Sequence, residues 1–446
     1  MKYKKYPSYK DSGVEWLGEI PTEWINSKLK YHAFIYNGNS ISDNEKSAYE
    51  NLDKETSIPY VSTKDIDSNF LTINYDNGMR VSNDDKFKRA KKGSTLICIE
   101  GGSAGKKLTN LNKDVCFVNK LACIDSYNKL DNRYAYYITQ SSIFKYSFNL
   151  ATTGLIPGVS INQLKDFEII RPPFKEQQQI AKFLDNATQK MDTLIQKQEN
   201  LIKLLKEKRQ AVISHAVTRG LNPDVKFKDS GVEWLGDVPE HWGITPLRYI
   251  GRFQNGISKG AEYFGSGFPF INYGDIYKNA ILPFKANGLA KSTKEDQNIY
   301  SVKKGDVFFT RTSETINDIG MASTCLQTIE NATFSGFTIR FRQLKFTLNE
   351  QFSKYYFRTG HSQSFFEEQL NLVTRASLGQ DILKQLPVLV PTLQEQQEIA
   401  TYLDDKTKKI DKLIKKAIKS IKLLKEKRTA LISAAVTGKI DVRELV

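Results

Sequence analysis

The chain has 446 residues, with 65 Lys and Arg against 50 Asp and Glu, a formal charge of +15 and a pI near 9.3. That length predicts two to three domains, and the basic surplus favours a polyanionic partner, DNA or RNA ahead of a membrane surface. No apolar run is long enough to span a bilayer, and no apolar segment follows the basic N-terminal residues as a secretory signal would require. Cys98, Cys116, Cys123 and Cys325 lie far apart, without Cys-x-x-Cys spacing or nearby histidines. They read as reduced buried thiols of a cytoplasmic protein rather than as disulfides or a zinc site.

In chain order, the first pattern is Lys10-Asp11-Ser12-Gly13-Val14-Glu15-Trp16-Leu17-Gly18, continuing to Pro21 and Trp24. It returns as Lys228-Asp229-Ser230-Gly231-Val232-Glu233-Trp234-Leu235-Gly236 with Pro239 and Trp242, so that 11 of 15 positions are identical at an offset of 218. A longer repeat aligns 172–218 with 391–437 at an offset of 219, with 28 of 47 positions identical. Near-equal offsets make the chain two copies of one unit of about 219 residues. Between the repeated blocks, 25–171 and 243–390 share only scattered signatures, such as Ile58-Pro59-Tyr60-Val61 and Phe268-Pro269-Phe270-Ile271. They read as one fold carrying two different surfaces.

Those segments predict an α/β domain. Thr95-Leu96-Ile97-Cys98-Ile99, Asp306-Val307-Phe308-Phe309-Thr310, Phe167-Glu168-Ile169-Ile170 and Leu386-Pro387-Val388-Leu389-Val390 are strands by composition. Asp131-Asn132 and Asn349-Glu350 start helices. Residues 176–217 lack Gly and Pro and carry a heptad seam through Ile180, Leu184, Ala187, Met191, Leu194, Gln198, Leu201 and Leu205. The second copy follows with Ile399, Leu403, Ile410, Leu413, Ala417 and Leu424. A further stripe of Ile195, Ile202 and Ile213, matched by Ile414, Ile421 and Ile432, widens the apolar face toward a bundle or partner helices. Forty helical residues reach about 60 Å, longer than one domain needs, so the two helices are expected to pair with each other. Pseudo-twofold symmetry makes that pair antiparallel.

No catalytic pattern stands out. There is no His-Glu-x-x-His, Gly-x-Ser-x-Gly or Gly-x-Gly-x-x-Gly opening a βαβ unit, and His32, His215, His241 and His361 are scattered. Gly101-Gly102-Ser103-Ala104-Gly105-Lys106-Lys107 is one residue short of a nucleotide phosphate loop, and Lys107 replaces the magnesium-binding Ser/Thr. It is either an ordinary loop or one pressing its backbone on nucleic-acid phosphates. Arg171-Pro172-Pro173-Phe174 resembles the Asn-Pro-Pro-Tyr/Phe loop of amino-methyltransferases, but Arg171 cannot make the paired hydrogen bonds Asn makes to adenine. The chain therefore reads as a binding protein without catalytic, cofactor or metal residues of its own. Groove-facing polar residues on the divergent segments are the DNA-reading candidates: Ser103, Lys106, Lys107, Thr152 and Thr153 in the first copy, and Lys259, Arg311, Thr312, Ser313 and Arg375 in the second. Residues 406–428 hold eleven Lys/Arg against two acids, whereas 187–209 hold six against three; that run is either a solvated helix face or a source of phosphate attraction.

The doubled Gly-Val-Glu-Trp-Leu-Gly…Pro…Trp motif, the Glu-Gln-Gln-x-Ile-Ala-x-x-Leu-Asp helix start at 176–185 and 395–404, and Leu-Leu-Lys-Glu-Lys-Arg at 204–209 and 423–428 resemble the specificity subunit of bacterial Type I restriction-modification systems. The resemblance covers the whole chain. It implies two target recognition domains, each reading half of a bipartite asymmetric DNA site, held apart by an antiparallel coiled coil that sets the spacer and docks two methyltransferase subunits. It further implies that those subunits bring S-adenosylmethionine and methylate adenine, and that restriction subunits use ATP and Mg2+ to translocate and cut. The expected organisation is an N-terminal repeated segment (1–24) packing by the distal helix end, recognition domain one (25–172), a central spacer helix (173–218) and a repeated linker (219–242). Recognition domain two (243–391) and a distal helix with its tail (392–446) complete it. A fused nuclease or methyltransferase finds no room beside the repeats, and an RNA-binding or purely structural scaffold leaves the divergence of the domains unexplained.

Overall fold

The computed structural model describes residues 3–14, 17–69, 71–127, 129–152, 157–313, 318–370 and 376–445. The chain forms two compact units, Met1–Asn200 with Ala417–Val446, and Leu201–Lys416. Four helices organise them: α1 (Asn132–Gln140), the long α2 (Phe174–Arg219), α3 (Glu350–Tyr356) and the long α4 (Leu393–Val436).

In the first unit, β1 (Ala33–Asn37), β2 (Thr95–Cys98), β3 (Leu108–Asn110) and β4 (Leu121–Ser126) form an antiparallel sheet in the order β1-β4-β2-β3. All four residues of β2 are buried, which is why its sequence is a continuous apolar run rather than an alternation. A second sheet contains one parallel pairing, Ser57–Val61 with Val115–Phe117. Ile25–Lys28 pairs with Glu168–Arg171 and closes the divergent segment on itself. The second unit repeats this plan: β5 (Gly251–Asn255), β6 (Val307–Thr310), β7 (Ala322–Thr324) and β8 (Thr338–Gln343) stand in the order β5-β8-β6-β7. Phe264–Ile271 pairs in parallel with Thr333–Phe334, and Gly243–Pro246 closes on Pro387–Val390. Both copies are thus the same mixed α/β domain.

The long helices run antiparallel within each unit. In the first, Ile180 and Leu184 share a core with Leu431, Ile432, Ala435 and Val436, and further along Asp192 meets Arg428 at 3.0 Å. In the second, Ile213, Ala216 and Val217 share a core with Ile399 and Leu403, and Arg209 meets Asp411 at 3.0 Å. These two ion pairs occupy equivalent repeat positions, with charges in matching places.

The buried line departs from the strict heptad seam. Ile180, Leu184, Leu205, Ile399, Leu403 and Ile410 are buried, and Met191 and Leu424 half-buried. Leu194, Leu201 and Leu413, expected on the seam, are 47%, 42% and 50% exposed, while Ile195 and Ile202 carry the line past them. The physical reason is that a straight helix with 3.6 residues per turn drifts about 20° per heptad against a 3.5 repeat, so the contact moves to the neighbouring residue.

Each long helix ends on a left-handed glycine, Gly220 (φ +76°) and Gly438 (φ +73°), a conformation that L side chains adopt at a cost. The repeated tryptophans pack there: Trp242 lies against Gly220, and Trp24 with Pro21 against Gly438. Trp24 and Trp242 are each 1% exposed. Tyr9 Oη donates to the Gly438 carbonyl at 3.0 Å, and Lys4 bridges to Asp441, so residues 4–24 sit at the end of α4. Trp234 is half-buried beside His361; Trp16 lies outside the described residues.

Candidate nucleic-acid interface

Two loops meet beyond the end of the central strand of each sheet. In the first unit they are residues 101–107, after β2, and 157–159. Gly101 N–H donates to the Pro157 carbonyl at 2.8 Å and Val159 N–H to the Ile99 carbonyl at 2.9 Å, while Glu100 bridges to Gly158. The stretch that leads into Ser103, Lys106 and Lys107 is thereby tied to residues 157–159.

Within this loop the N–H groups of Gly101, Ala104, Gly105, Lys106 and Lys107 all donate to protein carbonyls. They are spent on the turn, so the loop is not the open nest of amides that cradles a phosphate. That removes the backbone-on-phosphate reading for these five groups. Lys106 Nζ folds onto the Gly102 carbonyl at 3.1 Å and Lys107 Nζ onto the Thr63 carbonyl at 2.8 Å; Lys106 remains exposed. Thr152 turns its hydroxyl back to the Phe148 carbonyl at 2.8 Å. Thr153 lies outside the described residues.

The second unit uses the same ladder. Arg311 N–H donates to the Phe337 carbonyl at 2.9 Å, and the Arg311 carbonyl accepts from Leu378 N–H at 2.7 Å. Thr312 pairs with Ser377 and Ser313 with Ala376. Tyr273 Oη donates to the Thr312 carbonyl at 3.0 Å. Tyr273 and Phe337 line a groove of about 610 Å3 with Lys259, Phe264, Phe270 and Asn272. Of the sequence candidates, Lys259 lines this groove, and Arg311 and Thr312 join its walls through backbone bonds to Phe337 and Tyr273; Arg375 lies outside the described residues. Sequence reasoning missed Tyr273 and Phe337. Phe337 is 63% exposed in the tight Ser335-Gly336-Phe337 turn, and an apolar residue in so short a turn between strands was the available signal.

Matching hydrogen bonds put the two surfaces in register. Ile99 N–H donates to the Lys120 carbonyl as Arg311 N–H does to that of Phe337, and Val159 N–H meets Ile99 as Leu378 N–H meets Arg311. At these positions the first unit has buried Ile99 with exposed Glu100 and Lys120, and the second has half-buried Arg311 and Thr312 with exposed Phe337. The scaffold is shared and the chemistry offered to a groove is not.

Behind this surface each domain is fastened to its long helix by buried polar groups. Gln177 and Gln396, fully buried, are the first glutamines of the repeated Glu-Gln-Gln. Gln177 Nε2 donates to the Lys129 and Pro172 carbonyls at 2.9 and 2.8 Å, and its Oε1 accepts from Asp131 N–H at 2.9 Å. Gln396 repeats this with Thr347, Pro391 and Asn349 at 3.0, 3.0 and 2.7 Å. Asp131 and Asn349 are the N-caps of α1 and α3, so each glutamine fixes where the short helix begins. Tyr137 Oη donates to Asp185 at 2.6 Å and Tyr355 Oη to Asp404 at 2.6 Å. Burial foremost, and then these carboxylates, push both phenols up, which keeps them protonated as donors.

Among the described residues no group of three His, Cys, Asp or Glu is placed to hold a metal ion, and no helix is long and apolar enough to cross a membrane.

The sequence profile of the Type I restriction modification DNA specificity domain matches residues 21–204 and 239–423. The Type I restriction enzyme MjaVIII specificity subunit of Methanocaldococcus jannaschii is 22% identical over 352 residues, covering 78% of this chain and 80% of that one. A chain from a structure concerned with complex assembly and conformational transition of the type I R-M system aligns with a TM-score of 0.72 at 15% identity, over 94% of this chain and 99% of that one. The HsdS subunit from Thermoanaerobacter tengcongensis aligns with a TM-score of 0.52 at 15% identity, over 94% and 98%. Both structures share the fold.

Proposed function

The chain belongs to the Type I restriction modification DNA specificity family, and we propose that it recognises a bipartite, asymmetric DNA sequence, each divergent domain reading one half. Sequence-specific DNA recognition is the family's role, and this chain serves it as a recognition subunit. The observation that carries the two-half reading is that one ladder of hydrogen bonds holds exposed Glu100 and Lys120 beside buried Ile99 in one unit, and half-buried Arg311 and Thr312 with exposed Phe337 in the other. Arg and Thr pair with base edges in the major groove, and Phe packs on the thymine methyl; Glu and Lys offer a different pattern.

In this reading the paired helices set the unread spacer and dock methyltransferase subunits. Those subunits bring S-adenosylmethionine and methylate adenine, and restriction subunits, where present, use ATP and Mg2+. This chain supplies the sequence readout, the register and the orientation. Methylation-sensitive sequencing of the host genome tests the proposal. Adenine methylation should fall in a two-part asymmetric motif and vanish when the gene is deleted. Exchanging residues 25–171 should alter one half only, and deleting 192–198 should change the tolerated spacer by roughly 10 Å, about three base pairs. A contiguous motif, or one unaffected by the deletion, refutes it.

A further inference from the structure

Each unit has a groove where the recognition domain meets its long helices, and the two grooves differ in charge. The first, of about 820 Å3, is lined by Arg133, Asp185, Asp192 and Arg428 together with Gln189, Thr193 and Gln196. Its charges cancel: Arg133 pairs with Asp185 at 2.6 Å and Arg428 with Asp192 at 3.0 Å. The second, of about 590 Å3, is lined by Lys354, Asp404, Arg209 and Asp411 together with Lys408, Lys412 and Lys415. Lys354 pairs with Asp404 at 2.7 Å and Arg209 with Asp411 at 3.0 Å, so the same internal balance is kept. The three remaining lysines are exposed, and among the described residues they form no ion pair.

Lys408, Lys412 and Lys415 occupy the repeat positions of Gln189, Thr193 and Gln196. Spaced four and three apart, they lie on one face of α4 with steps of about 6 and 4.5 Å along the axis. A helix can carry neutral residues here, as the other copy does. The lysines are therefore not needed to hold the helix and add repulsion among themselves.

We propose that this groove in the second unit binds the sugar-phosphate backbone of duplex DNA. The inference rests on the reading of the chain as a DNA-recognition subunit and assigns that duplex a second, sequence-independent contact. A row of three like charges beyond the groove's two carboxylates, which Lys354 and Arg209 already pair, suits a partner whose own charge repeats, and a duplex carries one negative charge per about 1.7 Å. A protein docking in the same way on both repeats would find its chemistry in both grooves; here it exists in one. An asymmetric DNA site makes no such demand.

The test replaces the lysines by the residues of the other copy, K408Q/K412T/K415Q, in the full-length chain isolated with the subunits that accompany it. DNA binding is measured from 50 to 200 mM salt on specific and scrambled duplexes. Three lost phosphate contacts should reduce the slope of log K against log salt by about 2.7, leaving the ratio of specific to scrambled affinity unchanged. The reciprocal Q189K/T193K/Q196K should raise it by a similar amount, which guards against loss of folding in the first variant. Unchanged slopes in both variants overturn the proposal. So does loss of accompanying subunits with an unchanged slope, which would assign the lysines to an acidic protein surface. Failure of the wild-type complex to discriminate the two duplexes would instead refute the recognition reading itself.

Discussion

The buried glutamines Gln177 and Gln396 give the sharpest test of how each domain is fixed to its helix. Replacing Gln177 by Leu keeps the volume and removes three hydrogen bonds. It strands two carbonyls, Lys129 and Pro172, and the Asp131 N–H. Each of the three buried backbone groups left unpaired costs about 1–3 kcal/mol, and the added apolar burial returns about 1–2 kcal/mol, so the expected loss is about 1–8 kcal/mol. For a unit of this size each kcal/mol lowers Tm by about 2–4 °C, which predicts a fall of roughly 2–30 °C. Gln396→Leu should behave alike through Thr347, Pro391 and Asn349. Gln178→Leu, one residue along on the exposed face, should stay within about 0.5 kcal/mol. Calorimetry measures the Tm, and hydrogen exchange at residues 129–135 should accelerate in Gln177→Leu alone. A loss below about 1 kcal/mol for both buried substitutions, or equal losses at Gln177 and Gln178, would refute the fastening role.

The helix-end glycines predict an unequal pair. Gly220→Ala should cost about 1–2 kcal/mol from its left-handed backbone, and Gly438→Ala more, because its Cβ would fall 2.3 Å from the Pro21 ring against 3.3 Å from Trp242 at Gly220; urea titration of both decides it. The equivalent glutamates Glu395 and Glu176 should respond oppositely to acid. Burial favours a raised Glu395 carboxyl, but hydrogen bonds from His241, Thr392 and Trp242 outweigh it and hold the group below 4.5. That stabilisation is present above pH 4.5 and lost as pH falls through the lower folded value. Burial raises Glu176 above 4.5 despite Tyr6 and Arg443, so its charged form destabilises above that folded value and the penalty disappears as pH falls through it. Glu395→Gln should therefore lower Tm at pH 7 while Glu176→Gln leaves it equal or higher, and both differences should shrink towards pH 3. Finally, because residues 4–24 pack on the end of α4, a permutant linked from residue 446 to residue 1 and opened near the exposed Leu221 should keep its fold and its DNA target; loss of the target in a folded permutant would contradict this.

What the sequence made legible follows from which constraints repeat within it. The long helices, the strand cores at Thr95–Cys98 and Val307–Thr310 and the caps at Asp131 and Asn349 depend on local pattern, and local pattern survives in one sequence. The seam drifted onto Ile195 and Ile202 because a heptad count assumes supercoiling that straight helices do not supply. The turn of Phe337 offered a signal, but its placement and that of Tyr273 beside Arg311 and Thr312 were not legible, since they join through pairings across 26 and 39 residues. The glutamine pair was visible as a repeated Glu-Gln-Gln, but its role needs the burial of one glutamine and the exposure of the next, which spelling alone does not give. The Gly101–Lys107 loop left two readings open because glycines that suit a phosphate nest equally suit a turn whose amides bond inward.

The junction of domain and helix shows what the duplication has held constant. Asp185 and Asp404 occupy one repeat position and accept from Tyr137 and Tyr355, again at one position. Their cations do not correspond: Arg133 stands in the first turn of α1, while Lys354 stands one turn later in α3, beside its own tyrosine. Asp185 and Asp404 are 40% and 51% exposed at the side chain, and each keeps a cation, at 2.6 and 2.7 Å; either turn of a short helix lies over the same spot on its neighbour. The charge balance is kept while the position of the cation varies. That freedom separates a scaffold from a readout in energetic terms. Residues 25–171 and 243–390 differ in side chain along the shared ladder, and agree in effect where Gln177, Gln396, Asp185 and Asp404 of the long helices are satisfied. A recognition domain exchanged between the two positions carries its own cation with it, so Asp185 or Asp404 would remain neutralised whichever domain sits above it, while the three lysines of α4 would stay with the helix.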